Sequence, residues 1–261
     1  MQKVSLRVAF ALLLASTPLL FCQSPFDGTW LITPAKSKLD PKPFTVYLSQ
    51  GWYHCVSCTP PFDVQADGQV HPVTGQQFDS SSVTIVDPQT LSIVSKKDGK
   101  TVMEQTVTVS GDGKAATLKG KAFPVNGSDP QEYSVSFKRT GTLPEGVHAT
   151  SGNWVQTSFT DSENDLLTTF KTNGDELSMT DPTGDSYSAK FDGKDYPFKS
   201  AFANGVSLKR IDAHTIEETD KRDGTVVNVA KMTISPNGKT MTVVSTDPRS
   251  DRTSTYVATK K

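Results

Sequence analysis

FDGKDYPFKSAFANGVSLKRIDAHTIEETDKRDGTVVNVAKMTISPNGKTMTVVST, residues 191–246, alternates short runs of Val, Thr, Ile and Met with the pairs Asp192-Gly193, Asn204-Gly205, Asp223-Gly224 and Asn237-Gly238. Each Asx-Gly pair is a hairpin signal, because a type I′ turn needs positive φ at both central residues and these types tolerate it. The stretch therefore reads as an antiparallel β-meander. Sliding it back by 125 positions without a gap lays Asp192-Gly193 on Asp67-Gly68, Pro197 on Pro72, Asp212 on Asp87 and Thr215 on Thr90. The match continues through Lys221 on Lys96, Asp223-Gly224 on Asp98-Gly99, Ser235 on Ser110 and Gly238-Lys239 on Gly113-Lys114. Upstream, Gly152-Asn153-Trp154 falls on Gly28-Thr29-Trp30 with a shift of 124. The chain is a tandem duplication.

Working outward, the 261 residues divide into a leader at 1–22, a first repeat at 23–143 and a second at 146–261, parted by a Gly/Thr/Pro stretch near Pro144. Each repeat is large enough for a core of its own. With 35% hydrophobic residues, 18 Gly and 16 Pro, the composition suits many short strands joined by tight turns. Eight or nine strands are expected in each repeat. The leader, MQKVSLRVAFALLLASTPLLFC, places Lys3 and Arg7 before an apolar run too short to anchor the chain across a membrane, which is the layout of an export signal. Leu19-Leu20-Phe21-Cys22 is similar to a bacterial lipobox but has Phe where a small residue is usual, so cleavage next to Cys22 is preferred to a lipid anchor there. A secreted or periplasmic protein is expected. Removing the leader takes away two cations and no anion, leaving 25 basic against 28 acidic residues, a net −3. That balance offers no basic patch for nucleic acid.

Cys55 and Cys58, in QGWYHCVSCTPP, are the remaining cysteines once Cys22 leaves. In an exported chain a C-x-x-C pair reads first as a local disulfide, ahead of a redox pair or a metal site completed by His54 and His71. Asp161-Ser162-Glu163-Asn164-Asp165 invites a calcium reading, yet Leu166 stands where the loop needs Gly and Thr172 where it needs Glu, so a hairpin tip is preferred. No metal, cofactor or catalytic constellation emerges: G-x-S-x-G, H-E-x-x-H and phosphate-cradling glycine loops are all missing, and the chain reads as a non-enzyme.

The repeats also expose one another's peculiarities. Asn228, Ala230, Met232 and Ile234 alternate on one strand and match Met103, Gln105, Val107 and Val109, which marks an inward face carrying Asn228 or Gln105 among apolar neighbours. Ile85 and Ile93 of the first repeat become Arg210 and Glu218 in the second. These could form an exposed cross-strand ion pair, with Glu217 as an alternative partner of Arg210, or could anchor a polar ligand group inside a barrel. Arg210, Glu218 and Asn228 are accordingly the candidate ligand-binding residues.

Gly-x-Trp at the first strand of each repeat, the length of the meander and a basic residue on its last strand together resemble the lipocalin-like (calycin) family. The opening FDGTW…PAKSKLDP and the tandem layout also resemble a group of uncharacterised exported bacterial proteins. The resemblance implies an all-β protein with two tandem antiparallel up-and-down barrels behind an N-terminal signal helix. It further implies that each tryptophan packs under a cation from a final strand, pairing Trp30 with Lys138 or Arg139 and Trp154 with Lys260. Barrels of this size can enclose one small hydrophobic or amphipathic molecule, and ligand binding is the expected function. The alternative is a structural or interaction module whose barrels are filled by their own side chains.

Overall fold

The structure, a computed structural model, describes residues 24–124, 126–161 and 166–261. The leader, Cys22 and residues 162–165 of the acidic cluster lie outside the described residues. The chain is built almost wholly of antiparallel strands: β1 (Gly28–Ile32), β2 (Phe44–Ser49), β3 (Trp52–Cys55), β4 (Phe62–Gln65), β5 (His71–Pro72), β6 (Ser80–Asp87), β7 (Thr90–Lys97), β8 (Lys100–Val109), β9 (Ala115–Ala122) and β10 (Gln131–Thr140) in the first repeat. The second repeat contributes β11 (Gly152–Asp161), β12 (Leu167–Asn173), β13 (Glu176–Thr180), β14 (Ser186–Lys190), β15 (Tyr196–Lys199), β16 (Gly205–Arg210), β17 (Thr215–Arg222), β18 (Thr225–Ile234), β19 (Thr240–Asp247) and β20 (Arg252–Lys260). Each repeat thus holds ten strands, more than expected, because the segment around the cysteines forms the hairpin β3–β4 instead of loop. Among the described residues no helix is long and apolar enough to cross a membrane.

The turns are those the Asx-Gly pairs require. Asp98 and Asp223 sit at φ of 50°, each followed by a glycine with positive φ, at equivalent places in the two repeats. Both hairpins carry a bulge at the same position, between Ser95 and Lys96 and between Asp220 and Lys221, so the duplication extends to backbone irregularities.

Strand pairing departs from the simplest picture in one respect. The first sheet runs β4-β3-β2-β11-β10-β9-β8-β7-β6-β5, while the second closes as β1-β12-β13-β14-β15-β16-β17-β18-β19-β20. The first strand of each repeat therefore completes the barrel built by the other repeat. Barrel 1 is the continuous segment from β2 to β11, curled until β4 packs against β5 and β6. Barrel 2 takes β12 to β20 and recruits β1, which pairs with β12 through Gly28↔Phe170 and with β20 through Trp30↔Lys260.

The tryptophan pairs follow the exchange, which corrects the expected partners. Lys260 Nζ lies 5.1 Å from the centre of the Trp30 ring, and the Arg139 guanidinium lies 4.0 Å from that of Trp154. Each indole N–H donates to a carbonyl four residues upstream, Trp30 to Phe26 at 2.8 Å and Trp154 to Thr150 at 2.9 Å. The glycine of Gly-x-Trp has a physical reason here. Gly28 and Gly152 adopt φ of 122° and 113°, and a Cβ on either would sit 2.7 Å from the long side chain of Lys260 or Arg139 crossing above it.

The barrels share further contacts. After a single 3-10 turn at Pro34–Lys36 the chain runs beside β20, where Lys38 bridges Thr255 and the Arg252 guanidinium donates to the carbonyls of Lys42 and Pro43, before entering β2. Phe159 meets Tyr256 edge-on with ring centres 6.2 Å apart.

Candidate functional site

The two barrel interiors are built from equivalent positions and differ in chemistry. In barrel 1 the inward residues of β7 and β8 are Leu91, Ile93, Ser95, Met103 and Val107, facing Tyr53 and Cys55 of β3 and Phe62 of β4. Between them lies a cavity of about 190 Å³. Its floor is Trp154, held by Arg139, and Phe44, Phe78 and Phe137 complete much of the wall. Among the described residues no Asp, Glu, Lys, Arg or His lines it. The polar side chains in the wall are neutral, and most are engaged with protein: Gln105 donates to the Tyr133 hydroxyl at 2.9 Å, Gln76 to the Pro60 carbonyl at 2.6 Å and Ser81 to the Val94 carbonyl at 3.3 Å. Tyr133 reaches Gln105 because Gly120 leaves room, a Cβ there falling 2.3 Å from the phenol ring.

Cys55 and Cys58 form a disulfide, as expected, and both line the cavity. His54 pairs with Asp63 at 2.7 Å and His71 with Asp67 at 2.8 Å. Those contacts leave the two histidines on separate carboxylates at the surface. The loop after the disulfide is clamped from both barrels, since Gln76 holds the Pro60 carbonyl and Arg249 donates to the Thr59 carbonyl at 3.2 Å. The ring closed by the disulfide is so short that its contribution is expected to be modest, about 2 kcal/mol from loop entropy. Equilibrium unfolding of the double variant Cys55→Ser, Cys58→Ser should show that loss, and a loss twice as large would mean that the bond sets the barrel's packing as well.

In barrel 2 the corresponding interior carries a buried polar network. Register places Tyr187 of β14 where Phe62 stands in barrel 1, and Glu218, Asp220 and Asn228 where Ile93, Ser95 and Met103 stand. Glu218 and Asp220 are 7% and 4% exposed. The Tyr187 hydroxyl donates to Glu218, Asn228 donates to Asp220 at 2.9 Å, and Ser245 donates to Asn228 at 2.7 Å. Burial, followed by the charge of Asp220, pushes the Glu218 carboxyl up to about 8, which favours its protonated form at neutral pH, while Asp220 Oδ1 is buried without a hydrogen-bond partner among the described residues. Burial likewise raises Asp220, and it raises the Tyr187 phenol well above its usual range.

The candidate residues thus separate. Glu218 and Asn228 come together inside barrel 2, while Arg210 does not join them. It lies at the end of β16, opposite Ile216, exposed, with its guanidinium 4.2 Å from the centre of the Phe191 ring. Arg210 forms no ion pair with Glu217 or Glu218, because Glu218 points inward and Glu217 lies on the opposite face, in register with Lys209. Tyr187 and Asp220, the partners of Glu218, were not singled out by the sequence. The signal for them was available, since each replaces an uncharged or apolar residue of the first repeat.

Comparison of the chain with protein-family models, with curated proteins and with solved structures finds no match to any of them.

Proposed function

We propose that this is an exported carrier or sensor that holds one small apolar molecule in barrel 1. The observation that carries the reading is the cavity of about 190 Å³ walled by Tyr53, Phe62, Phe78, Leu91 and Ile93, with no charged side chain among the described residues that line it. Cavities of about 150 Å³ with apolar walls stay dry and take up benzene-sized guests, because water gains too few hydrogen bonds there. Export fits the leader pattern and the Cys55–Cys58 disulfide, a bond that persists in oxidising compartments. The alternative, a module filled by its own side chains, has its support in barrel 2, where Tyr187, Glu218, Asp220, Asn228 and Ser245 bond one another across the interior. The candidate site accordingly moves from Arg210, Glu218 and Asn228 to the first barrel.

Ala116, buried in the cavity wall, is the place to test this. Toluene should raise the melting temperature of the native chain, with stabilisation approaching about 2.7 kcal/mol at one hundred times its Kd. Ala116→Phe fills the space, and toluene should no longer shift it. An equal shift in both proteins would place the binding elsewhere and remove the proposal.

A further inference from the structure

The wall of the cavity also selects the chemistry of its guest, and the selection rests on the reading that barrel 1 binds a small molecule. We infer that the guest is a neutral, compact, largely aromatic or alicyclic molecule with one hydrogen-bonding group, and that Tyr53 and Ser95 receive that group.

The size follows from the volume of about 190 Å³, which suits a substituted single ring. Neutrality follows from the lining. An ion placed among these side chains would lose its hydration and meet no countercharge, since the Arg139 guanidinium is spent on the carbonyls of Gly113, Ala149 and Ser151 and lies across the far face of Trp154. The polar handle follows from hydrogen-bond accounting. Tyr53 and Ser95 line the cavity, are 8% and 1% exposed, and make no side-chain hydrogen bond to the protein among the described residues; neither hydroxyl is one of the fully enclosed unpaired oxygens, so each keeps surface that a guest can reach. Two hydroxyls left reachable on one largely apolar cavity wall form a place for a hydroxyl or carbonyl of the guest. Burial with no compensating partner also raises the Tyr53 phenol, which keeps it a neutral donor.

The duplication supports the same conclusion from outside barrel 1. Ser95 occupies the position of Asp220, and Ile93 that of Glu218. Barrel 2 fills these positions with carboxyls that bond Tyr187 and Asn228, Asp220 Oδ1 alone staying unpaired among the described residues, whereas barrel 1 has Ile93 and Ser95 there and leaves room for a polar group of a guest.

The test uses the full mature chain and four probes of similar size: toluene, benzyl alcohol, benzoate and benzylammonium, with affinities from calorimetry or ligand-observed NMR at pH 7.5. Benzyl alcohol should bind most tightly, and benzoate and benzylammonium at least tenfold more weakly. Tyr53→Phe and Ser95→Ala should each weaken benzyl alcohol several-fold and leave toluene unchanged, a difference that a mere loss of fold would not give. Benzoate or benzylammonium binding as well as the alcohol would overturn the neutral class while leaving the cavity as a binding site. Toluene and benzyl alcohol binding alike, with both variants silent, would overturn the role of Tyr53 and Ser95. Failure of all four probes to bind would take down the binding reading and this inference with it.

Discussion

A fragment of residues 37–161 is expected to fold alone, whereas the sequence repeat itself, 23–143, is expected not to. Barrel 1 is continuous from β2 to β11, and the repeat lacks β11, with it Trp154 and the strand that joins β10 to β2. The counterpart is sharper. A fragment of 166–261 contains nine strands of barrel 2 but has a gap between β12 and β20 where β1 belongs. Into that gap β1 and the residues just before it bring Trp30 and Phe26, each 1% exposed. Removing a buried aromatic side chain of that size costs about 3–5 kcal/mol, and domains of this length hold only about 5–15 kcal/mol in total. The fragment 166–261 should therefore show no cooperative melt, and a synthetic peptide of residues 24–36 should restore one. In the intact chain Trp30→Ala should cost about 3–5 kcal/mol and should lower the melting of barrel 2 first. Circular dichroism and hydrogen exchange read both results. Cooperative melting of 23–143 by itself, or of 166–261 without the peptide, would show that each repeat closes on its own strands.

The exchange marks the limit of what the sequence could tell. The meander, the turns and the duplication were legible because Asx-Gly pairs and alternating apolar residues act over a few neighbouring positions. The Gly-x-Trp packing was legible in kind, since both copies keep the glycine that lets a cation cross the indole. Which copy supplies the cation was not, because β1 and β11 are equivalent in sequence and either could complete either barrel; the choice is made by connections that carry little pattern. The interior was legible by difference. Comparing repeats brought out Glu218 and Asn228, and both are inside barrel 2. Arg210 has the same inward parity as Val206 and Leu208, but β16 ends with it, so its side chain leaves the barrel at the rim and lies on Phe191. The cavity of barrel 1 had no sequence signature, because Phe62, Ile93 and Met103 read as ordinary core, and only packing in three dimensions decides whether such residues meet or leave space.

The stability of barrel 2 is expected to fall as pH rises from about 5 to about 8, and Glu218 is expected to be the main cause. In the unfolded chain this carboxyl titrates near 4.5, whereas burial and the adjacent Asp220 raise it to about 8 in the folded protein. Across that interval the folded state keeps a proton that the unfolded chain has released. Raising the pH therefore favours unfolding by up to about 1.4 kcal/mol per unit, a slope that ends once the folded group ionises too. Asp220 is shifted in the same direction by burial and adds to the same trend. The groups acting on Glu218 are Asp220 beside it on β17 and Tyr187 from β14, and no lysine, arginine or histidine is among them to offset the effect. Carboxyls held low by hydrogen bonds, such as Asp247 with Arg249 and Asp212 with the His214 amide, titrate at more acid pH and act in the opposite sense, outside this interval. Glu218→Gln reproduces the protonated carboxyl: its amide can donate to Asp220 and its carbonyl can accept from Tyr187. The variant should match the native chain near pH 5, exceed it in stability at pH 8, and flatten the slope between. Tyr187→Phe, which leaves the Glu218 oxygen without its donor, should destabilise the barrel at every pH by about 1–3 kcal/mol. Urea unfolding at three pH values separates these outcomes, and a Glu218→Gln variant that is weaker than the native chain at pH 8 would mean that Glu218 is ionised in the folded barrel.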